Sequence, residues 1–142
     1  MNPLLLVQLA STLCLVGLIW TIQIVHYPLM AQVGVEEFTR YHAAHSAAIT
    51  WLVVPLMLAE LVSAIALVLD RPEAVPNWAA WVGLALVVLI WLSTGLLQVP
   101  QHALLAQGFD AGAHRTLVLS NWVRTAAWSL RGLLLLWLVA RS

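Results

Sequence analysis

The sequence predicts an all-α fold: a four-helix up-down-up-down transmembrane bundle with helix extensions on one side. Three observations carry that expectation. Of the 142 residues, 63% are hydrophobic and 8% charged, and mean hydropathy is +0.94, whereas a soluble domain carries about a quarter charged residues. Four apolar runs are each long enough to cross a hydrocarbon core of about 30 Å at about 1.5 Å per residue. The alternating pattern of a membrane barrel is missing, so backbone polar groups in lipid must be bonded within helices.

The first run covers about 3–26 and stops at Tyr27-Pro28, where proline lacks an amide hydrogen and crowds the preceding turn. It has no basic leader and no small-residue cleavage site, so it reads as a retained membrane helix rather than a signal peptide. The second covers about 48–69 and ends at Asp70-Arg71-Pro72. The short turn DRPEAVPN then implies an antiparallel third span, about 78–98. The fourth covers about 116–140. VGVEEFTRYHAAHSA extends the second helix outward, and PQHALLAQGFDAGAHR extends the third, past a kink at Pro100, until Gly108. Pro55 kinks the second helix in the same way. Trp78, Trp81 and Trp137 mark one interface, and Tyr27, Tyr41, Trp51 and Trp122 lie on or near the other. Arginines are almost evenly divided between the two sides, so the positive-inside rule assigns no orientation. Four spans leave no room for a second domain, so residues 1–142 form one integral membrane domain.

In that topology His26, His42, His45, His102 and His114 all fall on one side of the membrane. Polar residues inside the spans lean the same way. Gln23 precedes His26 by three, Gln98 precedes His102 by four, and Thr94 continues that stripe. Asn121, Arg124, Trp128 and Arg131 follow three-and-four spacing on the fourth helix. Such stripes face the bundle interior, because a charge facing lipid costs several kcal/mol. Glu60 and Arg131 lie at similar depth, which points to a structural ion pair. Arg124 has no carboxylate at its level, which leaves Asn121, Gln98, backbone carbonyls or a bound anionic group as its partners.

His42 and His45 sit three apart, and imidazole suits zinc, copper, iron and haem iron. His26 and His102 from neighbouring helices complete a candidate metal set, since bundle sites draw on facing helices. The alternative is that these are interfacial histidines with no ligand, and His114 is read that way. Cys14 is the only cysteine, which excludes an internal disulfide and a multi-cysteine metal site. Zero net charge gives no reason to expect a nucleic-acid partner. No phosphate-binding loop or nucleophile constellation is present.

The elements VHYP, FxxYHxxH, PxMxxE, QxPxH, GFD and NWxRTxxWxxR cover most of the chain and resemble a group of small bacterial four-helix membrane proteins. That resemblance implies the fold and a place in the bacterial inner membrane, and it imports no activity. The layout is more loosely similar to anthrone-oxygenase-like membrane proteins, with a proline ending the first span and an arginine-bearing last helix. The four-helix membrane protoporphyrinogen oxidases share only size and architecture. Both analogies imply oxidoreduction.

The leading functional expectation is therefore a membrane redox protein acting on a lipophilic substrate such as a quinone or small aromatic. In it, His26, His42, His45 and His102 hold a transition metal or haem iron, and Gln98, Asn121 and Arg124 bind the substrate's polar group. Glu60 and Arg131 brace the bundle. The alternatives are a non-enzymatic accessory or assembly subunit, which would dock a membrane partner, and a small dimeric carrier. The lipid bilayer is the partner common to all three.

Overall fold

The computed structural model describes residues 3–141; Met1, Asn2 and Ser142, which the single-domain expectation includes, lie outside the described residues. Four long helices succeed one another: α1 Pro3–Met30, α2 Val35–Leu69, α3 Asn77–Leu105 and α4 Ala111–Val139. No strand occurs among the described residues. The first three helices are long and apolar enough to cross a membrane. α4 is not among them, although the sequence predicts a fourth span. Its average is lowered by Asn121, Arg124, Thr125 and Arg131, all of which turn inward and are buried.

The first helix does not stop at Tyr27-Pro28. Instead it widens into a π turn at Ile22–His26, where the Tyr27 N–H bonds the Ile22 carbonyl, and continues to Met30. Pro28 has no amide hydrogen to offer the turn before it, and the wider turn accommodates the ring without ending the helix. α3 repeats the device: a π turn at Thr94–Gln98 precedes Pro100, and the Val99 N–H bonds the Thr94 carbonyl. α2 runs unbroken through Pro55, and its first residues merge with the extension from Val35. α4 begins earlier than its apolar run because the Asp110 carboxylate accepts from the Ala113 N–H at 2.6 Å and caps it. Just before that cap, Gly108 adopts φ +144°, a conformation that residues with side chains rarely adopt.

Buried side chains form layers along the bundle. Leu5, Leu67, Val75, Leu135 and Leu138 close one end. Leu15, Ile19, Met57, Ile90 and Trp128 fill the middle. Tyr27, Met30, Phe38, Leu105 and Leu117 pack the other end. A polar layer separates each pair of apolar ones. Outside, Leu6, Ile24, Val62, Leu92, Leu130 and Leu133 are exposed, which suits a lipid surround and would be a liability in water. α1 packs on both α2 and α4, and α3 packs on α4 and, along Asn77–Ser93, on α2. Beyond Ser93 comparable packing of α3 on α2 does not continue, and there the interior opens.

Candidate functional site

The inner polar layer is closed. Glu60 is fully buried and accepts from Arg131 Nε at 2.8 Å, from the Thr12 hydroxyl at 2.6 Å and from Trp128 Nε1 at 3.0 Å. The Arg131 guanidinium also donates to the Gly83 carbonyl at 2.7 Å and to Gln8 Oε1 at 2.8 Å. Gln8 in turn donates to the Ser63 carbonyl at 3.0 Å. One cation thereby ties together all four helices. A Cβ at Gly83 would stand 3.0 Å from Arg131 NH1, so a larger residue there would press on the guanidinium. Every bond of this layer goes to another protein group, which makes it a brace.

The second polar layer is built differently. Arg124 is almost fully buried and donates to Asn121 Oδ1 through Nε at 2.9 Å and through NH2 at 2.6 Å. Longer contacts reach the Thr94 hydroxyl at 3.4 Å and the Tyr27 hydroxyl at 3.5 Å. The guanidinium carbon stands 5.9 Å from the centre of the Trp128 ring, near the outer limit of a cation–π contact. Asn121 is held by α1, donating to Gln23 Oε1 at 2.7 Å. Among the described residues no carboxylate forms a salt bridge with Arg124.

The histidines fall into two pairs. His42 Nε2 and His102 Nδ1 are 3.1 Å apart, and His102 Nε2 lies 3.2 Å from the Tyr27 hydroxyl. Tyr27 then touches Arg124, so His42, His102, Tyr27 and Arg124 form one hydrogen-bonded chain. A neutral imidazole donates from one nitrogen and accepts at the other, so His102 can pass a proton along this chain. His26 and His45 instead stack, with ring centroids 3.9 Å apart, and Tyr41 lies 3.5 Å from His26 Nδ1. Among the described residues no group of three or more His, Cys, Asp or Glu side chains is arranged to hold a metal ion. His114 stands apart from both pairs. Its Nε2 lies 2.7 Å from the Tyr27 carbonyl, which can only accept, so His114 donates and pins the end of α1 to α4.

Two cavities open between α2 and α3 on this side. The inner one, about 330 Å³, has Tyr27, His45, Thr94, Gln98, His102 and Arg124 on its polar wall. Val53, Met57 and Trp91 form part of its apolar wall. The outer one, about 430 Å³, is lined by His42, Ser46 and Ala103 among others. Ile49, Thr50, Val99 and His102 line both. Gln98 is buried and donates to the Ser120 hydroxyl at 2.8 Å, while its Oε1 has no partner. The buried Trp91 Nε1 also has none.

The structure thus brings Gln98, Asn121 and Arg124 to one layer, with Gln98 and Arg124 on the cavity and Asn121 behind Arg124. Sequence reasoning missed Tyr27, taken as an interfacial residue, and Trp91, to which it gave no part in the site. The signal for Tyr27 is its place beside Pro28, which lies two residues past the π turn. No protein-family model, no curated protein and no solved structure matches this chain.

Proposed function

We propose that this chain is a four-span, up-down-up-down integral membrane protein that takes a lipophilic quinone or small aromatic molecule from the bilayer. We further propose that it serves membrane redox chemistry on that molecule. The observation that carries the reading is a buried arginine without a carboxylate, set in the wall of an amphipathic cavity. Burying a charge without its counter-charge is costly, and a ligand oxygen in the cavity would offset that cost. The apolar wall suits a ring or an isoprenoid-like tail, and the gap between α2 and α3 gives lateral access. The chain through Tyr27, His102 and His42 supplies a proton route suited to a quinone and quinol couple. The electrons of that couple would pass to or from a partner redox protein.

The test is saturable binding of a decyl-benzoquinone to protein purified in mild detergent, followed by quenching of tryptophan fluorescence. Arg124→Gln should weaken binding at least about tenfold, the loss of one charge-assisted hydrogen bond. Titrations of the unmodified protein that saturate with neither the quinone nor a small alkyl-substituted aromatic would sink the reading.

A second reading places a transition metal or haem iron at His26, His42, His45 and His102. It is favoured by the 3.1 Å separation of His42 Nε2 and His102 Nδ1, a spacing two ligands of one ion can share with bonds of about 2.0 Å. It requires the stacked His26 and His45 rings to turn. A visible spectrum and elemental analysis of the same purified sample decide it: metal or haem near one per chain supports it, and neither removes it.

A further inference from the structure

We infer that the molecule held in the inner cavity is an anion: a lipophilic aromatic hydroxy acid, whose carboxylate pairs with Arg124. The inference rests on the proposed lipophile-binding reading and narrows its substrate class.

One cation without a counter-charge and two unmatched polar atoms define the complement. Arg124 is a buried cation whose firm bonds all go to the neutral Asn121 Oδ1, leaving NH1 with only a 3.4 Å contact to Thr94. The buried Trp91 Nε1 is a donor with no acceptor. The buried Gln98 Oε1 is an acceptor with no donor. All three residues line the same cavity. A ligand that satisfies them presents two acceptor oxygens, at least one carrying negative charge, and one hydroxyl. A carboxylate supplies both acceptors, and guanidinium and carboxylate match in plane and charge. The hydroxyl answers Gln98. A neutral quinone offers acceptors only and leaves Gln98 Oε1 and the arginine charge unanswered.

Size and surroundings set the rest. A cavity of about 150 Å³ accommodates benzene, so about 330 Å³ accommodates one substituted ring and part of a tail. Val53, Val54 and Met57 give that ring an apolar bed. The outer cavity, which shares Ile49, Thr50, Val99 and His102 with the inner one, would give a longer tail a path between α2 and α3. Arg131 is the internal control. It sits on the same helix and is also buried, and its three donating nitrogens all meet protein oxygens, one of them a carboxylate. Nothing is left there for a ligand.

The experiment compares an alkyl-substituted hydroxybenzoic acid, its methyl ester, its methoxy ether and a decyl-benzoquinone on the unmodified protein in detergent. Affinity is read by tryptophan quenching. The acid should bind about tenfold to a hundredfold more tightly than its ester, the range of a charge-assisted bond. The ether should lose about fivefold, the size of one neutral hydrogen bond. In Arg124→Gln the advantage of acid over ester should vanish, and Trp91→Phe should reduce it about fivefold. Equal binding of acid and ester, with the quinone binding as well or better, overturns this inference and leaves lipophile binding standing. Binding of none of the four overturns both. Because the acid and ester comparison needs no substitution, a variant that fails to fold does not remove the test.

Discussion

Arg124 and Arg131 stand two turns apart on α4, and their surroundings give them different work. Arg131 meets a carboxylate, a carbonyl and an amide oxygen from three other helices. Replacing Glu60 by Gln removes the charge while keeping the shape, and it strands a buried guanidinium. The expected loss is about 3–5 kcal/mol of stability, read from the denaturant midpoint in detergent. Adding Arg131→Met should recover part of that loss, since neither charge then remains buried. An unchanged midpoint in Glu60→Gln would mean that the pair does not hold the fold. The spacing of Asn121, Arg124, Trp128 and Arg131 made this polar stripe legible in the sequence, because three-and-four steps keep one helix face. Depth in the span also pointed to Arg131 as the partner of Glu60 and left Arg124 without a carboxylate. Less legible were Gln8, Thr12 and the Gly83 carbonyl, which complete the Arg131 layer and which residue type and depth alone do not single out.

At the scale of the element, the two π turns decide how the site is aimed. Each holds one more residue than an α turn, so it rotates the helix segment before it against the segment after it. In α3 the turn carries both Thr94 and Gln98, and His102 comes one turn later. Hydropathy marks a span but is blind to this local widening, so the division of the histidines into two pairs could not be read from spacing. Pro28 and Pro100 were visible, yet a proline signals a disturbance without saying whether the helix ends, bends or widens. Deleting Leu96, which faces outward within the turn, should restore α geometry there without shortening the apolar span critically. Helicity and melting, followed by circular dichroism, should change little. Ligand affinity should fall about tenfold, the worth of one well-placed polar contact. Undiminished affinity would mean that the turn does not aim the site.

For the whole molecule, the up-down-up-down reading makes a geometric prediction about sides. The turn around Glu73 should face one aqueous compartment, and the segment around Glu36 the other. Single cysteines at these two positions, in a Cys14→Ala background, should react with a membrane-impermeant maleimide from opposite sides of sealed vesicles. Labelling from the same side would overturn the alternation. The closed inner layer has a further consequence, for how such a chain is made. In the four-span reading α2 would enter lipid carrying Glu60, and α4 would follow it with two arginines, each costing about 2.5–3.5 kcal/mol at the centre of an isolated span. The acid is therefore in place before the base that neutralises it is synthesised, and Gln8, Thr12 and Gly83 are waiting with it. In the four-span reading α4 would pack as it inserts, bringing Arg131 to Glu60, and a chain stalled before Arg131 would leave Glu60 without its counter-charge.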